Sequence, residues 1–346
     1  MNAIAPLSMT GSHFETIEST DTDLASLRYL LDLALQPIDQ FAGFTRLEQI
    51  GSSAYRYQLN FVQYALAMSQ MTRTPAFTGY LAEAQRNCIL KMCERRVWRY
   101  WATENLLGNF RWNPDPVSYQ NVMYTGFLGV MLGMYETLND DRDFSHPGAL
   151  ALHWNKKRTF YYSYSSLTAA IQHNMQQSRY VQYACEPHLV YPMCNSFALN
   201  TLLMHDRLHN TDFTGDLVER VEKHYEKDRF IRKNGRFVGG RGPMGFAFPS
   251  FVSNDAVMAL WLRAAMPEQS EKSWQLIRDH LAPLNDGEVR YNKRWINRID
   301  FGNYTLNGAW LRTFLLALSR EMGDSAYADA VENSFRNHYE IECREG

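Results

Sequence analysis

Apolar residues recur at spacings of three and four along most of this chain, which is the period of one buried helix face. The pattern is clear at residues 23–35, where leucines repeat, and again at residues 121–138. One long helix is predicted from residue 74 through residue 101, and another is predicted to begin after Ser52-Ser53. Further helices are predicted at residues 167–177, 197–209, 217–225, 256–265, 273–281, 304–322 and 327–338.

Signals for β-structure are few. Asn234-Gly235, between Phe230 and Gly242, is a dipeptide typical of a tight hairpin turn, and residues 288–299 are predicted to be extended. The sequence shows neither a fixed repeat period nor a linker rich in Pro, Ser or Gly. The pattern predicts an all-α fold, an (α/α)6 barrel or toroid of helical hairpins with one or two short β-hairpins. We expect a poorly ordered tail at residues 1–22 and a single barrel domain at residues 23–346.

Three glycines share one face of the predicted helix at residues 121–138. Gly126, Gly129 and Gly133 follow one another at spacings of three and four. Because glycine has no Cβ atom, this face allows another element to approach the helix backbone closely. We therefore expect a close contact along these three positions.

Composition and charge exclude several classes of partner. The 346 residues have a formal net charge of -2 and no long run of one sign, which gives no electrostatic case for binding nucleic acid or an anionic membrane. No apolar run reaches the roughly 18–20 residues that span a bilayer. The 20 Tyr, 19 Phe, 8 Trp and 15 Met residues suit a pocket for a small hydrophobic substrate, although aromatic core packing is the commoner explanation.

The five cysteines give an expectation about the compartment. Their number is odd and their spacing irregular, unlike the framework of a secreted disulfide-rich protein. The first 22 residues lack the basic start and apolar core of a signal peptide. We expect a cytoplasmic protein.

Residues 185–196 concentrate reactive side chains. The stretch contains the thiols of Cys185 and Cys194, the carboxylate of Glu186, the imidazole of His188 and the phenol of Tyr191. Pro187 and Pro192 disfavour an ordinary helix, so this stretch is predicted to be an extended loop before a helix that starts near Asn195-Ser196. Because the amino end of a helix stabilises an anion, Cys194 is the better candidate for a reactive thiol.

Structural explanations of the same residues stay open at this point. Most intracellular cysteines are small buried hydrophobic residues, and two cysteines at this spacing can also form a disulfide or contribute to a metal site. His205 and His209 can present two imidazoles on one helix face. This zinc signal is weak, because Asp206 replaces the glutamate of the zinc-hydrolase motif and no third ligand is evident.

The order of several motifs along the chain resembles the linalool dehydratase/isomerase family. The motifs fall between residues 55 and 324, and the ordered series is much more specific than any one of them. They are Lys91-Met92, Arg96-Val97-Trp98, Trp101, Asp115-Pro116, Asn121, Met123-Tyr124, Gly126, Gly133-Met134-Tyr135, Cys185-Glu186-Pro187, Tyr191, Cys194-Asn195-Ser196, Asp206-Arg207-Leu208-His209, Thr211-Asp212-Phe213 and Arg320-Glu321-Met322-Gly323-Asp324.

The resemblance implies an (α/α)6 barrel, commonly a ring-shaped homo-oligomer with its pocket between neighbouring subunits. It also implies acid–base chemistry on allylic terpene alcohols without a cofactor or a metal. By position, Cys185 and Cys194 match the family's two active-site cysteines, and Tyr57 and Met123 match a pocket tyrosine and a pocket methionine. Asp39 matches an acidic residue of an early loop in the family, although the segment that follows this loop is shorter in this chain.

Two positions depart from the family pattern. Phe127 stands where the linalool enzyme has a histidine, and Asn254 stands where another pocket tyrosine is expected. These differences point to a different substrate or a different step. At the position of His205 the family has a tyrosine that binds no metal. We therefore assign His205 and His209 a role in the core or in capping.

Dehydration of an allylic alcohol needs an acid, a base and a pocket that tolerates a developing cation. The catalytic candidates are Cys185, Cys194, Tyr57, Glu186, Asp39 and His188, of which Glu186 is a candidate to tune the first thiol and His188 to replace the missing imidazole. The substrate-binding candidates are Met123, Tyr124, Phe127, Trp98, Trp101, Tyr191 and Asn254. In the structural alternative the aromatic residues pack in the core, Glu186 caps or pairs with an arginine, and His188 faces solvent.

Three hypotheses about function follow. The first is a lyase or isomerase that acts on a hydrophobic terpenoid alcohol by proton transfer without a cofactor. The second is a biosynthetic cyclase that folds a reactive terpenoid or meroterpenoid intermediate in the same barrel, which suits the apolar Phe127. The third is a protein that binds an apolar ligand without catalysis.

Overall fold

In this computed structural model, which describes residues 18–45, 54–300 and 305–339, the chain is mostly α-helical. The helices are α1 (Asp21–Ala34), α2 (Tyr55–Arg73), α3 (Gly79–Met92), α4 (Arg95–Trp98), α5 (Tyr100–Asn109), α6 (Val122–Asn139), α7 (Tyr164–Gln177), α8 (Pro192–His209), α9 (Leu217–Lys227), α10 (Val252–Leu262), α11 (Pro267–Leu276), α12 (Trp295–Arg298), α13 (Ala309–Glu321) and α14 (Ser325–His338). The strands are β1 (Leu150–Asn155), β2 (Arg158–Tyr162), β3 (Leu284–Asn285) and β4 (Glu288–Val289).

Five helices form an inner ring. Helix α2 packs on α6, α6 on α8, α8 on α10, and α10 on α13. Helices α3, α7, α11 and α14 pack against the outside of this ring. Phe61 of α2 meets Trp310 of α13 edge to face, with ring centroids 5.9 Å apart, which brings the two ends of the ring together. The helical periodicity in the sequence thus produces a toroid of helix pairs.

The glycines of α6 produce the closest helix contact. A Cβ atom on Gly126 would lie 3.0 Å from the backbone nitrogen of Ala198, and one on Gly129 would overlap the side chain of Thr201. A Cβ atom on Gly133 would lie 2.7 Å from a methyl group of α8. The Thr201 hydroxyl donates a hydrogen bond of 3.1 Å to the Gly126 carbonyl across this contact. The expected close approach is confirmed, and its partner is α8.

The predicted long helix from residue 74 to Trp101 is wrong. The chain breaks after α3, where Glu94 adopts an extended conformation, and it continues as the separate helices α4 and α5. The indole nitrogen of Trp98 donates a hydrogen bond of 2.9 Å to the Cys93 carbonyl at this break. Apolar periodicity does not reveal the break, because the buried face continues through it.

Helix α8 begins earlier than predicted. Pro192 is its first residue, so Asn195-Ser196 lies inside the first turns. Proline is well tolerated at the first helical position, since its missing N–H would have no helical partner there. This correction places Cys194 within the first turn of α8, at the positive end of the helix dipole.

The short β-structures surround the ring. Asn234-Gly235 forms the predicted turn, with Gly235 at φ +79° and an isolated bridge from Ile231 to Phe237, but without regular strands. Strands β3 and β4 form a short hairpin at residues 284–289, and β1 and β2 form a longer antiparallel hairpin that was not predicted. The turn between β1 and β2, at residues 155–158, contains no glycine or proline and therefore gives no turn signal.

Two predictions concern segments outside the described residues. The tail at residues 1–22 falls mostly there, although α1 begins at Asp21 with Thr20 as its capping residue. The helix start at Ser52-Ser53 also lies outside, and α2 is described from Tyr55. Among the described residues, no helix has the length and apolar character needed to cross a membrane.

We expect Gly129→Ala to lower the free energy of unfolding by about 1–3 kcal/mol, because the added methyl group overlaps Thr201 in a packed contact. Urea unfolding measures the change. Thr201→Ala removes the overlapping atoms, so the double variant should lose less stability than the sum of the two single variants. An unchanged urea midpoint for Gly129→Ala would contradict the close contact of α6 and α8.

Candidate active site

A cavity of about 820 Å³ lies where the amino ends of the inner helices meet. Each inner helix contributes a residue from its first two turns: Tyr57 and Phe61 from α2, Met123 from α6, Cys194 from α8, Asn254 from α10 and Trp310 from α13. The amino end of a helix has a partial positive charge from the unpaired N–H groups of the first turn. The ring architecture therefore directs five such ends at one cavity.

Apolar side chains make up most of the cavity wall. Leu30 and Leu33 of α1, Phe44 of the following loop, and Ile296 of α12 line it together with the aromatic residues of α2 and α13. An apolar wall offers water few hydrogen bonds, so replacing that water with a hydrocarbon ligand is favourable. The charged and polar groups gather at the other end of the cavity, around the segment that follows Tyr183.

The two thiols lie next to each other at this polar end. Cys194 lines the cavity, and Cys185 lies behind it, buried and within hydrogen-bond reach of the Cys194 thiol. Asn195 fixes their relative position: its side chain accepts a hydrogen bond from the Tyr183 N–H and donates one to the Tyr183 carbonyl, both 3.0 Å. The segment before Cys185 is thereby attached to the first turn of α8.

Cys185 is held as a neutral thiol. Burial raises its pKa well above the ordinary value, and the neighbouring Cys194 and Glu186 raise the pKa further. The Arg56 guanidinium acts in the opposite direction without offsetting these effects. At neutral pH Cys185 can therefore donate a hydrogen bond or a proton, and it is a poor thiolate nucleophile.

Arg56 lies beside the polar end of the cavity, next to Tyr57 and Glu104, and was not predicted from the sequence. Its side chain is buried, and the guanidinium lies 4.5 Å from the ring centroid of Tyr57 and 4.3 Å from that of Tyr100. It donates a hydrogen bond of 3.0 Å to the Tyr57 hydroxyl oxygen. Burial raises the pKa of Tyr57 well above its usual range despite this cation, so the phenol stays protonated and its O–H hydrogen is directed away from Arg56.

Glu104 of α5 was also missed, and it lines the cavity together with Glu186. The Oε2 atom of each is buried without a hydrogen-bond partner in the described part of the chain. Burial, the largest effect, raises the pKa of Glu104 to about 7. The Arg56 cation lowers this pKa, and the neighbouring Glu186 raises it. In the sequence, Glu104 lies just beyond the predicted long helix and belongs to no motif, and only the tertiary fold shows which way it faces.

Three of the predicted substrate-binding residues line the cavity. Met123 is buried at the start of α6, and Asn254 is buried on α10, where its amide donates a hydrogen bond of 3.4 Å to the Val238 carbonyl. Tyr191, just before α8, stacks on Phe248 with ring centroids 6.0 Å apart. The predicted residues Tyr57, Glu186 and Cys194 complete the set that the fold brings to the cavity, with Cys185 directly behind them.

Four predicted aromatic residues belong to the core instead. Trp98, Trp101 and Tyr124 are fully buried and do not line the cavity; the Tyr124 hydroxyl donates to a backbone carbonyl at the end of α3. Phe127 is buried behind Tyr57, with ring centroids 6.1 Å apart. Helical spacing alone does not distinguish these faces, because in a double ring of helices many helix faces are buried.

Asp39 and His188 are exposed, and neither lines the cavity. Asp39 lies in the loop after α1, where it attracts the ammonium group of Lys91. His188 has a left-handed backbone conformation, with φ 66°, and its Nε2 hydrogen-bonds to the Gly108 carbonyl at 2.9 Å. The imidazole therefore contacts the end of α5 and does not line the cavity, and its role in place of the family's histidine stays a prediction.

The imidazoles of α8 make structural contacts. His205 hydrogen-bonds to Ser165 and to Thr211, both at 2.9 Å, and His209 hydrogen-bonds to Glu136 at 2.7 Å. Burial and the neighbouring His209 lower the pKa of His205 to about 4. The described residues contain no group of three or more His, Cys, Asp and Glu residues that could hold a metal ion.

Comparisons with known proteins agree with this architecture. A family model described as linalool dehydratase/isomerase matches residues 56–346. Among solved structures, a GH76 α-mannanase from Bacteroides thetaiotaomicron has 9% identity and a TM-score of 0.51, covering 90% of this chain and 82% of its own. Dfg5 from Chaetomium thermophilum, in complex with glucosamine, has 11% identity and a TM-score of 0.51, covering 94% and 80%. At such identities the likeness shows the fold alone, and the predicted (α/α)6 barrel is confirmed.

We expect Cys185 to react slowly with N-ethylmaleimide at pH 7.5. Its labelling should be more than about 100-fold slower in the folded protein than in urea, since each unit of raised pKa removes tenfold of the thiolate and burial limits access. Fragment-ion mass spectrometry separates the labelling of Cys185 from that of Cys194 on the same peptide. Equal rates in the folded and unfolded protein would contradict the neutral, buried thiol.

Proposed function

Because the chain belongs to the linalool dehydratase/isomerase family, we propose that it is a cofactor-free lyase or isomerase that acts on a hydrophobic terpenoid allylic alcohol. The observation that supports this proposal best is the composition of the cavity wall. One part is apolar and aromatic, and the other gathers Tyr57, Glu104, Glu186 and Cys194, with Cys185 directly behind. A hydrocarbon with a single hydroxyl group fits such a wall in one orientation.

The proposed reaction breaks the bond between the allylic carbon and the hydroxyl oxygen. A protonated hydroxyl leaves as water, and the cation that forms is delocalised over the allylic carbons. The rings of Tyr57, Phe61 and Trp310 offer faces that stabilise a cation without reacting with it. Cys194 then accepts a proton from a neighbouring carbon, and Cys185 exchanges protons with Cys194 through their contact. We place this chemistry in the cytoplasm, where a reducing environment keeps both thiols free.

A cyclase acting on a larger terpenoid or meroterpenoid intermediate is the second candidate. A cavity of about 820 Å³ lies in the upper part of the range of roughly 300–1,000 Å³ that ligand pockets cover. In this case the same polar groups start the reaction and the aromatic wall folds the chain of the intermediate. The thiols then contribute mainly to the shape of the cavity.

The first test measures turnover of a panel of allylic terpenols, including linalool and geraniol, in anaerobic buffer with a chelator. We expect dehydrated or isomerised products by gas chromatography, and a loss of about 1,000-fold or more in kcat for the variant with both Cys185→Ala and Cys194→Ala. Cys93→Ala is the matched control, because this buried thiol lies outside the cavity and should leave kcat within about twofold.

Other outcomes of this test separate the candidate functions. A folded wild-type protein that turns over none of the terpenols contradicts the first proposal and directs the assay to larger prenylated intermediates. A partial loss in the double cysteine variant favours the cyclase. Binding of terpenols without any product identifies a protein that only holds an apolar ligand.

We also propose that the chain forms a homo-oligomer with the cavity near the subunit interface. Large apolar side chains are exposed on two neighbouring loops: Leu107 at 70% and Phe110 at 91% at the end of α5, and Met244 at 103% in the turn at residues 243–245. The loop at residues 186–190 lies between them, since His188 bonds to the Gly108 carbonyl and Val190 pairs with residue 241. That loop also contributes Glu186 to the cavity.

Light scattering after size-exclusion chromatography tests this interface. We expect the wild type to elute as an oligomer, and Phe110→Asp combined with Met244→Asp to shift it to the monomer mass, because a charge on an apolar interface must be desolvated. Met71→Asp is the control, since this exposed side chain lies near the carboxyl end of α2, whereas the cavity is lined by the amino end of that helix. A monomeric wild type would contradict the proposal.

A further inference from the structure

Two carboxyl groups at the polar end of the cavity each have one oxygen without a hydrogen-bond partner among the described residues. Glu104 comes from α5 and Glu186 from the loop before α8, and the Oε2 atom of each is buried without a hydrogen bond in the described part of the protein. A buried acceptor without a partner destabilises the folded state. We expect such an unpaired oxygen at a cavity wall when a bound molecule donates the missing hydrogen bond to it.

One cation is shared among these acids. The buried Arg56 guanidinium attracts both Glu104 and Glu186, and it also stacks on Tyr57 and donates a hydrogen bond to its hydroxyl oxygen. Two carboxylates near each other in a site of low dielectric constant do not both lose their protons easily. The negative charge of Glu186 therefore helps to keep a proton on Glu104 near neutral pH.

The surroundings place this proton on Glu104. Burial raises the pKa of Glu104 to about 7, Arg56 from α2 lowers it, and Glu186 from the loop raises it. Tyr100, one helical turn before Glu104, is the other titratable group that faces it. Burial raises the pKa of Tyr100 far above neutrality, so this phenol is uncharged when Glu104 titrates.

We propose that Glu104 is the proton donor of the reaction, and that its neutral carboxyl group protonates the leaving hydroxyl of the allylic alcohol. This assignment rests on the proposed function. It gives Glu104 a catalytic role, since its side chain lines the cavity beside Tyr57 and Cys194. Glu186 is the carboxylate that shares this proton with Glu104 and returns it.

The step balances without any further reactant. The O–H bond of Glu104 breaks and its proton joins the substrate hydroxyl; the C–O bond then breaks, and its electron pair leaves with water. The sulfur of Cys194 accepts a proton from a carbon next to the allylic cation as its own S–H proton passes to Cys185, and the alkene forms. The proton returns through Cys185, which contacts Cys194, and through Glu186, which interacts with both Cys185 and Glu104.

The pH dependence of turnover tests the assignment. Wild-type activity requires protonated Glu104, so it should fall about tenfold per pH unit above pH 7. Glu104→Gln should lose about 100- to 10,000-fold in kcat and should lack this alkaline decline. Glu186→Gln removes the charge that raises the pKa of Glu104, so the decline should begin at lower pH. Glu288→Gln, on the exposed β3–β4 hairpin, is the control and should match the wild type.

An infrared pH titration gives a readout that needs no substrate. The wild type should show a carboxylic acid C=O band that disappears near pH 7, and Glu104→Gln should lack it. The melting temperature gives a second readout. A raised pKa means that the folded state loses stability as pH rises toward 7, so Glu104→Gln should gain more in melting temperature at pH 8 than at pH 6.

The outcomes distinguish a failure of this assignment from a failure of the proposed function. Turnover of terpenols with Glu104→Gln as active as the wild type overturns the assignment and leaves the function standing. The assignment is also overturned if the infrared band near pH 7 is missing in the wild type or persists in Glu104→Gln. If Glu104→Gln does not fold, Glu104→Asp replaces it: this variant should lose kcat because the carboxyl is withdrawn, and should keep an alkaline decline.

Discussion

The contact between α6 and α8 is the constraint on which the site depends. Gly126, Gly129 and Gly133 let the two helix backbones approach closely, and Thr201 hydrogen-bonds across the contact. This approach sets the distance between the amino ends of two inner helices, and both ends contribute to the cavity wall. The ring can then place α2, α10 and α13 around the same point. A larger residue in the glycine face would separate the two helix ends and open the wall at Cys194.

The polar groups at one end of the cavity lower the stability of the folded protein and are available to react. Glu104 and Glu186 each keep a buried oxygen without a partner in the described part of the chain, and Cys185 is a buried thiol next to a carboxylate. Each of these groups would be more stable in water or with a partner. Arg56 offsets part of this cost, and Asn195 holds the loop in place through two hydrogen bonds to the backbone of one residue. These contacts position the polar groups without a ligand, which is the kind of preorganisation that favours catalysis.

The sequence predicts the fold well and the site in part. Periodicity gives the helices, and the glycine spacing gives the close contact, because both are properties of local geometry. The stretch that contains Cys185 and Cys194 is recognisable because its reactive residues are close in sequence. Glu104 was missed because the direction of one helical carboxylate depends on tertiary packing, and the buried Trp98 was placed in the pocket for the same reason. The exposed position of His188 was not predictable, because its left-handed backbone conformation has no signal in a non-glycine residue.

The origin of the cavity wall in the first turns of separate helices also affects how this protein can diverge. A residue such as Asn254 or Met123 faces the cavity from the end of its helix, while the remaining turns of that helix pack in the ring. A substitution at one of these positions changes the shape and polarity of the part of the wall that its helix contributes. It leaves the packing between helices intact. A barrel of this kind can therefore acquire a new substrate by small independent changes, and the difference from the family pattern at Asn254 is a change of this type.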